Sequence, residues 1–251
     1  MENIKTKLKT LRLSASMATL EERNSYALAN QLSYLDFLEL LLEDECASRQ
    51  ANAYRRGLKQ SGLNEQKRLD NFDFTCQPDL DKGRIMDLAA CRYLLDHDNI
   101  ILMGKPGTGK THLANALGLK ALEKGKKVIF AHAHKLIDLL HRSKADGSYT
   151  RQLKKICKTD LLVIDELGFK KIPQNGLDDF FEIIRTRYER GSLIITTNRN
   201  FSDWEHLFGD KVMASAIIDR LVHHAHIFKM MGESYRLRTH APSPPAGGEG
   251  A

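Results

Sequence analysis

Cysteine is scarce in this chain, and the four that occur, Cys46, Cys76, Cys91 and Cys157, never form a C-x-x-C pair. That spacing gives no support to a structural zinc site or a disulfide framework and leaves reduced thiols as the expectation. Long apolar runs are missing as well, since no stretch approaches the eighteen or so residues that a spanning helix requires. Residues Met1 to Leu13 are lysine-rich and polar with no apolar run behind them, so neither a membrane anchor nor a secretory leader is expected. Proline is rare, six in 251 residues, and three of the six fall between Ala241 and Ala251 beside three glycines and one charge. Such a tail cannot bury a core and is expected to be disordered; whether it is native to the domain stays open.

What remains has 42% hydrophobic and 28% charged residues, a balance that excludes a disordered or membrane-embedded chain and fits a cytoplasmic globular protein. The length suits one α/β domain with a small appendage. The net charge of +6 is not spread evenly, because residues 1–75 carry eleven Lys/Arg against eleven Asp/Glu. The whole excess belongs to the rest of the chain, where it creates a field that favours encounter with polyanions.

Between Met17 and Lys67 there is no proline, and glycine occurs only at Gly57 and Gly62. Leucines recur at helical spacing, and Tyr34, Phe37, Leu38, Leu41 and Leu42 form one stripe, expected either as a seam on a neighbouring helix or as a docking face for a partner. The run Asn71 to Gln77 breaks the pattern and ends at Pro78, which reads as a linker clipped to the following domain by Phe72 and Phe74. The expected organisation is therefore a small helical N-terminal domain over 1–75, open to DNA or partner contacts, a second domain over 76–240, and the tail 241–251. In the second domain Asn99–Met103, Val128–Ala131, Leu161–Ile164, Leu193–Thr197 and His226–Met230 are short apolar runs separated by stretches long enough for crossover helices, which predicts a central parallel sheet.

Directly after the first of these strands stands Gly104-Lys105-Pro106-Gly107-Thr108-Gly109-Lys110-Thr111, satisfying G-x-x-x-x-G-K-[ST] in the strand-loop-helix setting that the motif requires. Glycines let the loop wrap with its amides turned inward, and the following helix N-terminus adds its positive end, so a triphosphate is the fitting ligand. Lys110 would reach the β- and γ-phosphates, and Thr111 would offer its hydroxyl to Mg²⁺. Leu161-Leu162-Val163-Ile164-Asp165-Glu166 ends a strand in two carboxylates, of which Asp165 fits the Mg²⁺ side and Glu166 the group that deprotonates an attacking water. Asn198, closing the run Leu193 to Thr197, could bond both the γ-phosphate and that water through its amide; an ordinary turn residue is the competing reading. Arg220 could act on the transferring phosphoryl group from a neighbouring subunit, or simply pair with Asp219 at the surface.

Taken together, GKPGTGKTHLA, LLVIDELG, SLIITTNR, the segment from Asp203-Trp204 to Arg220-Leu221, and Gly232-Glu233-Ser234-Tyr235-Arg236-Leu237 strongly resemble the IstB transposition helper ATPases, from about Leu32 to Leu237. The resemblance implies an α/β P-loop AAA+ ATPase domain, related to the DnaC helicase loaders, with a helical domain before it. It also implies ATP and Mg²⁺ as cofactors, oligomerisation through ATP-bridged subunit interfaces on duplex DNA, and a transposase of the same insertion element as partner. On this resemblance Gly104 to Thr111 match the Walker A loop, Asp165 and Glu166 match Walker B, Asn198 matches sensor 1, and Arg220 matches the arginine-finger region. The short stretch after the last strand leaves no room for the helical lid that many AAA+ proteins carry there.

Arg151, Lys154, Lys155 and Lys158 recur at i, i+3, i+4 and i+7 and so share one helical face. They form either a stripe that tracks DNA phosphates or a solvated surface, and Lys170 and Lys171 could extend the former. His132, His134, His223, His224 and His226 lack carboxylate or cysteine company in the sequence, so no metal site is expected among them. A replicative helicase loader is the alternative within this fold. A small-molecule kinase is disfavoured by Glu166 and Asn198, and a module that holds nucleotide without turnover is the remaining reading.

Overall fold

The computed structural model describes residues 2–235, apart from the side chains of residues 174 and 175; the tail 241–251 lies outside them. The chain divides into two compact units at Gly57/Leu58.

The first unit holds α1 (Glu2–Thr10), α2 (Ser14–Ala29) and most of α3 (Tyr34–Ser61). Helix α3 starts where Ser33 and Asp36 cap each other: the Asp36 N–H donates to Ser33 Oγ at 3.2 Å, and the Ser33 N–H donates to Asp36 Oδ2 at 3.1 Å. Polar bonds hold α2 to α3. Buried Glu45 accepts from the Ala15 and Ser16 amides at 2.8 and 3.4 Å, where the first turn of α2 has no carbonyl partners of its own. Arg23 grips Asp44 with two bonds of 2.9 and 2.6 Å.

The apolar stripe of α3 is not a seam. Only Leu41 is buried, whereas Tyr34, Leu38 and Leu42 are exposed, Tyr34 by 95%. The reason lies in α2, which offers Leu20 as its sole large buried side chain and otherwise meets α3 through Ser16, Arg23 and the Glu45 cap.

The second unit takes in residues 58–75 as well, so the division falls earlier than the linker at Asn71 suggested. Leu63 lies against Gly118, and buried Asn115 exchanges two 2.8 Å bonds with the backbone of Asn64. Side chains on the helix after the phosphate loop thus tie down this stretch, and nothing in its own composition announces that attachment.

The unit continues through α4 (Lys82–Ala89), α5 (Tyr93–Asp96), β1 (Asn99–Gly104), α6 (Lys110–Glu123), β2 (Val128–His132), α7 (Ala133–Ala145), α8 (Tyr149–Cys157), β3 (Leu161–Leu167), α9 (Gln174–Arg187), β4 (Ser192–Thr197), α10 (Trp204–Phe208), α11 (Lys211–Val222) and β5 (Ala225–Met230). All five predicted strands form, paired in parallel in the order β2-β3-β4-β1-β5. Both faces are covered, which is why the strands read as continuous apolar runs rather than as alternations. Ile101, Leu162, Ile164 and Ile195 share one core with side chains of α7, α9, α10 and α11, including the fully buried Trp204, while α6 packs across the sheet on β1, β3 and β4.

One order in this sheet decides the chemistry. β4 is inserted between β1, which carries the phosphate loop, and β3, which carries the acids. Whatever side chain stands at the end of β4 must therefore lie beside both.

Arg187, the last residue of α9, fastens the end of α8 in place. Its buried guanidinium donates to the carbonyls of Ile156, Cys157 and Thr159 at 3.0, 3.2 and 2.7 Å, and to those of Asp160 and Ser192 at 3.3 and 2.7 Å. Burial lowers its pKa to about 10, so it remains charged at neutral pH. The C-terminal end of α8 is thus joined to the start of β4.

Candidate nucleotide site

The site lies at the carboxyl ends of the parallel strands, where ligands bind in open α/β sheets. β1 ends at Gly104, and the loop from Lys105 leads to Gly109, whose left-handed φ of +91° starts α6. Thr108 Oγ1 donates to the Lys105 carbonyl at 2.9 Å, closing the loop on itself. Lys110 Nζ donates to the carbonyls of Gly104 and Lys105, both at 2.7 Å, so the cation sits within the curl of the loop. Amides at the start of α6 add the positive end of a fourteen-residue helix.

Asp165 is fully buried at the end of β3. Its Oδ1 accepts from Thr111 Oγ1 at 2.9 Å and from Thr196 Oγ1 at 2.6 Å. Its Oδ2 is buried without a hydrogen-bond partner among the described residues, and His132 Nδ1 stands 3.3 Å from it. A hydroxyl and an under-used buried carboxylate oxygen side by side, at the mouth of a phosphate loop, are the hard oxygen donors that suit Mg²⁺.

Glu166 is built differently. The β3–β4 register shifts between Ile164 and Leu167, and Glu166 takes a left-handed φ of +59° at that irregularity. A bulge re-aims side chains, and a non-glycine residue held at positive φ carries local strain of a kind that gathers at functional sites. The outcome is two adjacent carboxyls with opposite surroundings, one buried and one 47% exposed. The Glu166 N–H donates to Thr196 Oγ1 at 2.9 Å, and His132 Nδ1 lies 3.4 Å from its Oε2.

The sequence-predicted residues of the loop, with Asp165 and Glu166, are thus brought together. Asn198 stands exposed just past the end of β4, and the β4 side chain that touches both acids is Thr196. Sequence reasoning missed Thr196, although the strand order supplies the signal once known. It also set His132 aside as lacking carboxylate company. The parallel register that pairs His132 with Asp165 provides that company, as Glu189 does for His224 at 3.7 Å and Asp98 for His226 at 3.3 Å.

Arg220 lies on α11 with its guanidinium 5.3 Å from the centre of the Phe181 ring and Nη1 donating to the Ala216 carbonyl at 2.8 Å. No ion pair joins it to Asp219 among the described residues. Arg151, Lys154, Lys155 and Lys158 are all exposed on the side of α8 opposite the buried Ile156. Lys170 and Lys171 line a cavity of about 150 Å³ together with Glu166 and His134.

The profile of the family described as IstB-like ATP binding protein matches residues 6–243. An ATP-binding protein of insertion sequence IS5376 from Geobacillus stearothermophilus is 41% identical over 213 residues, covering 85% of each chain. One of insertion sequence IS21 from Pseudomonas aeruginosa is 38% identical over 238 residues, covering 95% of this chain and 89% of its own. Among solved structures, DnaI superposes with a TM-score of 0.57 at 21% identity, covering 68% of this chain and 96% of its own. That likeness is one of fold, the P-loop AAA+ domain.

Proposed function

Because the chain belongs to the family of IstB-like ATP-binding proteins, we propose that it is the helper ATPase of an insertion element, assembling on duplex DNA with ATP and serving a partner transposase. The observation that carries the hydrolytic part is the meeting of Thr111, Asp165 and Thr196 around one buried carboxyl, with Glu166 turned outward beside them. A site built only to hold nucleotide has no use for a second acid kept in a strained, solvent-facing conformation.

In this reading the loop amides, the α6 N-terminus and Lys110 bind and orient the triphosphate. Thr111 and Asp165 would hold Mg²⁺, which when bound neutralises charge on the β- and γ-phosphate oxygens. Glu166 accepts a proton from the water that attacks the γ-phosphorus, and Asn198 helps to orient that water. Arg220 reaches the phosphoryl group of a nucleotide bound by a neighbouring protomer, leaving its seat on Phe181 to do so.

The DNA part is supported by the exposed α8 face and by a positive excess confined to the chain beyond residue 75. Its test is a salt titration of duplex binding in ATP. Affinity should fall by roughly 0.9 log units per log unit of salt for each phosphate neutralised, and Lys154→Ala with Lys155→Ala should flatten the slope by up to about two units while weakening all sequences alike. An unchanged slope in a variant that still assembles would return α8 to solvent and move the search to Lys170 and Lys171. Capture of a replicative helicase instead of a transposase by the intact protein would favour the loader reading.

A further inference from the structure

After β5 the chain turns back across the phosphate loop. The Gly232 N–H donates to Gln77 Oε1 at 3.1 Å, and Gln77 Nε2 donates to the Glu233 carbonyl at 3.4 Å. Gln77 is buried, so its amide acts as a two-point latch on this strap. The fit is close: a Cβ at Gly232 would lie 2.1 Å from the Cys76 carbonyl oxygen, a clash that backbone cannot relieve cheaply. Three residues on, the Tyr235 N–H donates to the Gly107 carbonyl at 3.1 Å. A Cβ on Gly107, whose φ is +84°, would lie 2.1 Å from Ser234 Oγ. The middle glycine of the loop is therefore needed for the strap as well as for the turn.

Strap, loop and linker enclose one cavity of about 260 Å³. Gly107 to Thr111 line it at the phosphate end, and Phe72 and Gln77 of the linker line it together with Tyr235 of the strap. Phe72 is fixed by edge contacts with Phe74 and His112, at centroid distances of 4.8 and 5.5 Å. Tyr235 is half exposed, and its N–H bond to Gly107 holds it at the mouth of this cavity. A cavity that opens from a triphosphate cradle and carries two aromatic side chains suits a flat heteroaromatic base, which stacks on such rings whatever its edge pattern.

We propose that Phe72 and Tyr235 hold the nucleobase, and that the strap Gly232–Tyr235, latched by Gln77, is a binding element of the nucleotide site. This rests on the reading of the loop as an ATP site. Nucleotide occupancy and docking of the strap are then one equilibrium, so whatever pulls the strap from Gln77 releases nucleotide.

The experiment compares the affinity of the full chain for ATP with its affinity for inorganic tripolyphosphate, which has the charges and no base. Tyr235→Ala should weaken ATP at least about tenfold, within the range of base–aromatic stacking, and tripolyphosphate less than about twofold. Tyr235→Phe should keep both within about twofold, and Gly232→Ala should follow Tyr235→Ala. Equal losses for the two ligands, or none for ATP, would overturn the proposal and leave the phosphate site standing. A wild-type chain that binds neither ligand would overturn the nucleotide reading and this proposal with it.

Discussion

Thr196 links the two acids of the site through a single hydroxyl. That hydroxyl donates a hydrogen bond to Asp165 at 2.6 Å and accepts one from the Glu166 N–H at 2.9 Å, so it fixes the orientation of the buried acid and anchors the strained residue beside it. Valine has nearly the same shape and neither capacity. Thr196→Val would leave a buried carboxylate oxygen one partner short, a loss of about 1–3 kcal/mol. If half or more of that falls on the catalytic geometry, turnover drops between about twofold and about a hundredfold, at 1.36 kcal/mol per tenfold. ATP affinity should stay within a few-fold, because Lys110 and the loop are untouched, and Thr196→Ser should recover most of the rate. Single-turnover hydrolysis alongside an ATP titration reads both quantities. Thr196 could not be found from its own neighbourhood, since Leu193 to Thr197 reads as an ordinary buried strand. Its role arises from β4 lying between β1 and β3, a long-range fact that no local pattern encodes.

At the level of elements, the parallel strands were legible because burial on both faces makes them continuous apolar runs, and the phosphate loop because its chemistry requires glycines at fixed spacing. The packing of α3 was not. Helical periodicity identifies a face but does not say what covers it, and Tyr34, Leu38 and Leu42 show that polar capping can hold two helices while leaving leucines in solvent. The attachment of residues 58–75 was hidden for a related reason, because it uses Asn115, the one polar side chain among the buried residues of α6.

The polar union of α2 and α3 makes it sensitive to acid. Hydrogen bonds from Arg23 chiefly, and from Thr19, hold the Asp44 pKa at about 2, and Arg49 together with the Ala15 and Ser16 amides lowers that of Glu45. Both groups are more acidic folded than unfolded. Their contribution is therefore complete above the ordinary carboxylate range near pH 4 and is lost as pH falls from there towards 2. Hydrogen exchange on the intact chain should show amides of α2 losing protection across that window sooner than those of β1 and β3. Asp44→Asn should lower the protection at neutral pH and remove much of its acid dependence. Protection of α2 that holds unchanged down to pH 2 would mean that these pairs contribute nothing to the unit.

For the whole molecule, the sheet gathers its functional groups at one end. The phosphate loop, both acids, Thr196, Asn198 and the strap all stand at the carboxyl ends of strands or follow them, while Arg187 secures α8 and its basic face from the opposite end of β4. A neutral helical unit thus precedes a basic domain that belongs to a family of ATP-binding proteins from insertion sequences. If this domain hydrolyses ATP with Glu166 as the base, binding and turnover can be separated at that residue. Glu166→Gln keeps the shape and cannot accept the proton. The most direct measurement is phosphate release by this variant under saturating ATP, beside its ATP affinity. Affinity should stay within a few-fold of wild type, and release should fall at least about a hundredfold, at the scale of general-base catalysis. Release at the wild-type rate would contradict Glu166 as the base, and the proton acceptor would have to be sought elsewhere, with His132 the nearest group to examine.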